Sequence, residues 1–167
     1  YVRIVASGGL DEYEVDRLVG NEAPIDLFGV GTKAGVSADA PWSDMAYKLV
    51  CYDGRPVMKL SPDKVNPPGA KQVFRFQDDG KFSHDILGLS DESVAGTEEM
   101  LVDVMAGGTP TSSNPGLPEI RERLESDMQL LDPRFKELRR PPLYPVQPSP
   151  KLQRLTATVQ EQLGEPE

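Results

Sequence analysis

Two short glycine-rich segments, each directly after an apolar run, have the residue types and spacing to bind an anion. The first is Ser7-Gly8-Gly9-Leu10-Asp11 and the second is Gly29-Val30-Gly31-Thr32. Glycine lets backbone N–H groups approach an oxyanion without a Cβ in the way. The hydroxyls of Ser7 and Thr32 add further donors. The pair of loops predicts a phosphate site, with purely structural turns as the alternative.

The elements that would position these loops form a β-loop-α-β-loop unit. The segment between the two apolar runs begins with Asp11 as a cap, carries Glu12 and Glu14 in its first turn, and can end at Gly20 or Asn21. Parallel strands need a crossover of this kind. In parallel α/β folds, ligands bind where the carboxyl ends of the strands meet their loops.

The amino-acid composition limits which partners this chain can bind. The 167 residues suffice for a domain with a sizeable core, and the net charge of −9 argues against non-specific binding to nucleic acid or to an anionic membrane. No apolar run approaches the ~20 residues of a membrane span. One cysteine and one histidine exclude a Cys/His zinc site, so we expect no metal site in this chain. A lone cysteine fits a cytoplasmic location.

The chain reads as a piece of a longer protein. It opens on Tyr1 and an apolar strand, and two β-α units are far short of the about 250 residues of a closed barrel. The pattern predicts three segments: residues 1–42 with β/α units, 43–108 rich in β-hairpins, and 109–167 mainly helical.

The middle segment is predicted to be antiparallel. Met45–Tyr52 and Pro56–Leu60 flank an Asp53-Gly54 turn, and Lys71–Phe76 and Lys81–Leu87 flank Asp78-Asp79-Gly80. Further predictions are one helical turn at Ser61–Lys64, an acidic loop at Ser90–Thr97 and a strand at Met100–Met105. The hairpins therefore form a different layer from the β-α start.

The last segment follows a linker at Thr109–Pro115 and is predicted to be helical. Apolar residues recur at helical spacing at Ile120, Leu124, Met128 and Leu131, and again at Leu152, Leu155, Val159 and Leu163. A short helix is expected at Arg134–Leu138 and an extended stretch at Arg139–Pro145. Ser149 and Pro150 predict the start of the last helix.

Several other residues could carry chemistry, and each has a structural alternative. The hairpins carry five cations, which suit an anionic ligand but are better explained as a solvated face: Lys48, Lys59, Lys64, Lys71 and Arg75. His84 and Asp85 are neighbours on one strand and point to opposite faces, so they cannot form a simple dyad. We expect Cys51 to be buried and Trp42 to anchor packing.

The motifs together resemble the nicotinate phosphoribosyltransferase family. The resemblance covers nearly the whole chain in order, through Ser7–Glu12, Phe28–Thr32, Tyr47–Val50, Met58–Ser61 with Lys64, Pro68–Arg75, Tyr144–Val146 and Ser149–Leu152. It implies an α/β fold: the C-terminal part of an incomplete, irregular TIM-like barrel of the type II phosphoribosyltransferase kind, followed by antiparallel hairpins and a helical segment. Residues 1–42 would supply the last β/α units of that barrel.

The resemblance also implies an activity. Nicotinate and phosphoribosyl pyrophosphate would give nicotinate mononucleotide and pyrophosphate in NAD salvage, driven by ATP hydrolysis, with Mg²⁺ present. The partners would be the N-terminal part of the same enzyme and a second copy in a homodimer. Related enzymes that take nicotinamide or quinolinate are an alternative, and so is a non-catalytic interaction domain.

Site residues follow from the same resemblance. The ribose 5-phosphate would be held by Ser7, Gly8, Gly9, Gly31 and Thr32, and the pyrophosphate or ATP phosphates would lie near Lys48 and Lys59. The phosphorylated histidine and the nicotinate-binding arginine of the family have no counterpart here, and His84 does not match the histidine motif. We therefore expect no catalytic residue in this chain and no turnover by residues 1–167 alone.

Overall fold

The computed structural model describes residues 2–38, 40–42, 47–61, 64–111 and 115–164. The chain divides into two compact units, the first formed by Tyr1–Ala46 with Leu138–Arg140 and the second by Tyr47–Glu137 with Pro141–Glu167. The three-segment division stays a prediction. The predicted helical turn at Ser61–Lys64 and the start of the predicted strand at Met45 include positions outside the described residues.

The first unit contains the predicted β-loop-α-β-loop arrangement. Its elements are β1 (Val5–Ser7), α1 (Glu12–Gly20), β2 (Leu27–Gly29) and a short helix α2 (Thr32–Gly35). The two strands are parallel, with Val5 opposite Leu27 and Ser7 opposite Gly29. Asp11 caps α1 as predicted, because its Oδ1 accepts from the Glu14 N–H at 2.9 Å. The sequence predicts an irregular Gly/Ser/Pro-rich connector at Lys33–Trp42, but the first residues of this stretch belong to α2.

The second unit is built around one sheet. The strands of the whole unit are β3 (Cys51–Tyr52), β4 (Arg55–Pro56), β5 (Lys71–Asp78), β6 (Lys81–Leu89), β7 (Thr97–Glu99), β8 (Met105–Ala106), β9 (Thr109–Pro110) and β10 (Val146–Pro148). Of these, β3 pairs only with β4 and β8 only with β9. Its helices are α3 (Leu117–Leu130), a 3-10 helix (Pro133–Lys136) and α4 (Pro150–Gly164). The sheet order is β10-β6-β5-β7. The predicted β5–β6 hairpin is confirmed, and β10 joins β6 in parallel.

Two predicted strands of this unit are shorter or displaced. The ladder around Asp53-Gly54 pairs only Cys51 with Pro56 and Tyr52 with Arg55. The strand predicted at Met100–Met105 is wrong, since its first five residues are not strand and only Met105 enters β8. Within this stretch the side-chain amide of Gln72 takes the place of a strand partner at Leu101: it accepts from the Leu101 N–H at 2.8 Å and donates to the Leu101 carbonyl at 2.9 Å.

The core of the second unit lies between the sheet and α4. Phe74 and Leu152 are almost fully buried, and a Cβ at Gly88 would lie only 2.7 Å from Cε2 of Phe74. Ser149 caps α4 as predicted, because its Oγ accepts from the Leu152 N–H at 3.0 Å. The helix predicted from Leu117 is confirmed as α3, but its predicted core face is wrong, because Ile120, Leu124 and Met128 are all exposed. The described residues form a mixed α/β structure with several small sheets and no closed barrel.

Candidate phosphate-binding site

The two glycine loops begin at paired positions of the parallel strands. Ser7 is the last residue of β1 and lies opposite Gly29, the last residue of β2. A Cβ at Gly29 would lie 2.9 Å from Cβ of Ser7, so the strands approach too closely for a larger residue without a shift. Both loops therefore start at the carboxyl ends of neighbouring strands, where α/β folds bind their ligands.

The first loop needs glycine for its backbone conformation. Gly8 has φ +100° and Gly9 has φ +65°, both of which disfavour side chains. A Cβ at either position would meet nothing within 4 Å, so crowding is not the reason for glycine there. Ser7, Gly8 and Gly9 are exposed, which leaves this part of the backbone accessible to an anion.

The second loop leads directly into α2. Gly31 precedes the helix without a side-chain cap, and Thr32 is its first residue. N–H groups in the first turn of a helix have no carbonyl partner within the helix. Gly31 and Thr32 are exposed, so the Thr32 hydroxyl is accessible beside such donors.

An ion pair that sequence reasoning missed connects these loops. Lys33 Nζ, one residue after Thr32, donates to Asp11 Oδ2 at 2.8 Å. This hydrogen bond from Lys33, followed by the one from the Glu14 N–H, lowers the pKa of the Asp11 carboxyl. The bond to Asp11 also raises the pKa of Lys33. The available signal was a lysine directly after one loop and a capping aspartate at the end of the other.

Lys48 and Lys59 belong to the second unit, and both are exposed. They lie beyond the β3–β4 ladder, whose continuation is the hydrogen bond from the Val57 N–H to the Val50 carbonyl at 3.0 Å. The backbone N–H of Lys59 donates to Oδ1 of Asn66 at 3.0 Å. Both side chains reach solvent, and their phosphate-binding role stays a prediction.

Two of the other hairpin cations have internal partners. Lys71 Nζ donates to the carbonyls of Pro67 and Gly69 at 2.8 and 2.6 Å, and burial lowers its pKa. Arg75 binds both carboxylate oxygens of Asp85, at 3.0 and 2.8 Å, and this contact raises its pKa. Lys71 and Arg75 therefore stabilise the sheet unit rather than forming a solvated face.

The prediction that His84 and Asp85 do not form a dyad is confirmed. The His84 ring stacks on Phe76 with centroids 4.4 Å apart, and Ser83 Oγ lies 2.9 Å from His84 Nδ1. Asp85 is instead the partner of Arg75.

Two burial predictions are wrong. Cys51 is exposed because β3 belongs to a separate two-stranded ladder rather than to the main sheet. Trp42 is 77% exposed, so it does not act as a packing anchor within the described part of the chain.

The described residues offer neither a cluster of metal ligands nor a membrane-spanning helix. Within the described ranges, no three or more His, Cys, Asp or Glu side chains come together as ligands for a metal ion. Within the same ranges, no helix has the length and apolar character to cross a membrane.

Known proteins resemble this chain in sequence and in fold. A sequence profile for the nicotinate phosphoribosyltransferase C-terminal domain matches residues 93–156. Nicotinate phosphoribosyltransferase pncB2 of Mycobacterium tuberculosis is 43% identical over 138 residues, which cover 82% of this chain and 30% of that protein. The mouse nicotinate phosphoribosyltransferase is 31% identical over 179 residues, which cover 92% of this chain and 33% of the mouse protein.

A solved structure agrees with these matches. The crystal structure of human nicotinic acid phosphoribosyltransferase superposes with a TM-score of 0.73 at 26% identity, covering 95% of this chain and 33% of that one. The chain thus spans about a third of the length of the curated relatives it matches. The fold and the matches define the C-terminal portion of a phosphoribosyltransferase. Within that class, the chain belongs to the nicotinate phosphoribosyltransferase family.

Proposed function

We propose that the natural protein carrying this chain converts nicotinate and phosphoribosyl pyrophosphate to nicotinate mononucleotide and pyrophosphate, a step of NAD salvage. The named activity of the relatives supports this reaction. This chain would contribute the part of the site that binds the ribose phosphate. ATP coupling, a homodimer and a cytoplasmic location complete the proposal and rest on the resemblance to the family.

The observation that carries the phosphate site is the pairing of Ser7 with Gly29, which starts both glycine loops at the same end of two parallel strands. In the proposed complex, the N–H groups of Gly8 and Gly9 and the hydroxyls of Ser7 and Thr32 donate to the 5-phosphate. Gly31 leaves the approach to the first turn of α2 free of a side chain.

Binding of the 5-phosphate would speed the reaction mainly by holding the ribose in position. In phosphoribosyl transfer, pyrophosphate leaves from a ribose with oxocarbenium character, so holding the sugar in line with the attacking base supplies much of the rate. Fixed donors also stabilise the charge that develops on the leaving group. Lys48 and Lys59 are proposed as cations for the pyrophosphate or ATP phosphates, a role that their exposure permits. Mg²⁺ belongs to the proposal on the resemblance to the family alone, since no three or more His, Cys, Asp or Glu side chains of the described residues come together as metal ligands.

The proposed barrel is consistent with the exposed faces of the first unit. Val5 and Leu27 are 59% and 49% exposed although they lie on a parallel strand pair. Parallel sheets are normally covered on both faces. We propose that residues 1–42 form the last β/α units of an incomplete barrel whose remainder comes from the N-terminal part of the enzyme.

The test of the activity is product release by the natural full-length polypeptide. Pyrophosphate and mononucleotide would be measured with nicotinate and with nicotinamide, each with and without ATP. Product from nicotinate that ATP accelerates would support the proposal. Product from nicotinamide alone would mean that the substrate is nicotinamide rather than nicotinate. No product from either base would favour an interaction domain. Residues 1–167 alone should give no turnover.

The test of the site is Thr32→Val, which removes the hydroxyl and keeps the side-chain shape. Losing one hydrogen bond to a charged group should lower kcat/KM for phosphoribosyl pyrophosphate about tenfold to a hundredfold. Thr158→Val is the matched control, since Thr158 is exposed on α4 and its hydroxyl donates to the Arg154 carbonyl. Equal kinetics for both variants would remove Thr32 from the site.

A further inference from the structure

We propose that Lys33 and Asp11 are a positioning pair that fixes the two glycine loops relative to each other for binding of the sugar phosphate. This inference rests on the proposed function and adds to it a contact between residues 22 positions apart, the 2.8 Å bond from Lys33 Nζ to Asp11 Oδ2. Neither residue is assigned to the phosphate itself.

The strand ladder does not hold the loops beyond their first residues. The pairing of β1 with β2 ends at Ser7 and Gly29. Past that point the first loop contains two glycines in left-handed conformations. Leu10 at the far end of the first loop is buried, but a Cβ at Gly8, Gly9 or Gly31 would meet nothing within 4 Å, so packing does not fix the three glycines themselves. Their relative geometry needs another constraint.

The Lys33–Asp11 bond supplies a constraint at a suitable place. Asp11 closes the first loop, and Lys33 follows the Thr32 that closes the second. Asp11 is itself fixed, because its other oxygen accepts from the Glu14 N–H at 2.9 Å as the cap of α1. Lys33 is thereby tied to the start of α1, where the charges of Glu12 and Glu14 also favour its protonated form.

A different role for Lys33 makes a different prediction. If Lys33 bound the phosphate directly, Asp11 would compete for its ammonium group, and removing the Asp11 carboxylate would leave binding unchanged or improve it. If the two residues position the loops, removing either one loosens the same contact. Substitution of Asp11 therefore separates the two roles.

The experiment uses the natural full-length enzyme with Lys33→Met, Asp11→Ser and the double variant. Serine keeps a good helix cap while removing the carboxylate. Each single variant should raise KM for phosphoribosyl pyrophosphate by about twofold to fivefold, as expected for loss of an exposed ion pair. The KM for nicotinate and kcat should stay unchanged, and the double variant should be no worse than either single one.

Arg17→Met is the matched control. It breaks the ion pair between Arg17 and Glu14 on the exposed surface of the same helix, which does not involve the second loop. Its KM for phosphoribosyl pyrophosphate should equal that of the unaltered enzyme. Circular dichroism and thermal unfolding of all variants separate a change in loop geometry from loss of the fold.

Three results would overturn the positioning pair. The first is a raised KM in Lys33→Met with a normal or lower KM in Asp11→Ser, which would make Lys33 a direct ligand. The second is an unchanged KM in both variants of an active enzyme, which would leave the proposed function intact. The third is no use of phosphoribosyl pyrophosphate by the unaltered enzyme, which would remove the proposed function together with the pair.

Discussion

The two units differ in how much of their own structure they bury. In the second unit, a four-stranded sheet and α4 enclose Phe74 and Leu152, which are 0% and 1% exposed. In the described part of the first unit, Leu10 is the one buried apolar residue, and each strand has three residues. The predicted phosphate chemistry thus lies in the unit with the smaller core. If the phosphate proposal holds, stability and binding geometry depend on different parts of this chain.

The two units also differ in the burial of their ion pairs. Arg75 and Asp85 are opposite each other on β5 and β6, and the side chain of Asp85 is only 7% exposed. The Arg75 guanidinium also lies 4.8 Å from the ring centre of Phe82 and 5.7 Å from that of Tyr144. The first unit's pair, Lys33 and Asp11, is more exposed, at 52% and 25%. We therefore expect substitutions in the second unit to affect stability and those in the first to affect binding.

The largest effect is expected from Phe74→Ala. Removing a fully buried ring leaves a cavity and should cost about 3–5 kcal/mol in the free energy of unfolding. Phe28→Ala is the matched substitution in β2 of the first unit, where the ring is only partly buried, and should cost less than about 2 kcal/mol. Urea unfolding followed by circular dichroism would measure both, and hydrogen exchange would locate the loss. Equal costs would contradict the contrast between the units.

The next effect is expected from Asp85→Asn. This change leaves the partly buried Arg75 without its charged partner and should destabilise the second unit by about 2–4 kcal/mol. Replacing both residues, by Arg75→Met with Asp85→Leu, should recover part of that loss, because no unpaired charge remains. Thermal unfolding of the three proteins tests this. A double variant less stable than Asp85→Asn would show that the ion pair, together with the contacts of Arg75 to Phe82 and Tyr144, stabilises this unit more than apolar side chains do.

Local sequence signals predicted the elements but not the pairings between distant elements. The β5–β6 hairpin follows from alternating apolar residues and a turn in which Asp79 and Gly80 adopt positive φ, as a two-residue turn requires. The parallel pairing of Val146–Pro148 with β6 was not predictable, because it joins residues about sixty positions apart and includes a proline. The hydrogen bonds of Gln72 to Leu101, which lies in a wrongly predicted strand, are equally non-local.

The candidate site shows the same limit. The loops around Gly8 and Gly31 were predicted from residue type and from the apolar runs before them. The contact of Lys33 with Asp11 was missed because it depends on the parallel register of β1 and β2, which brings together residues that the sequence separates by a helix.

The smallest expected effect is on the carboxyl pKa of two aspartates, one in each unit, that form similar surface contacts with a lysine. Asp11 accepts from Lys33 at 2.8 Å in the first unit, and Asp91 accepts from Lys151 at 2.6 Å in the second. In each case the lysine hydrogen bond is the main cause of a carboxyl pKa below the ordinary value of 3.8. Because the folded pKa is lowered, each contact stabilises the fold above pH 3.8, and this is lost as pH falls through the lowered value.

Carboxyl carbon NMR of residues 1–167 would measure the two midpoints, and both are expected below 3.8. Lys151→Met should return Asp91 close to its ordinary value, whereas Lys33→Met should return Asp11 only partly, because the Glu14 N–H still donates to it. An ordinary midpoint for Asp11 beside a lowered one for Asp91 would mean that the contacts of Asp11 with Lys33 and the Glu14 N–H do not form in the isolated chain. The phosphate loops would then depend on the rest of the enzyme for their shape as well as for their substrate.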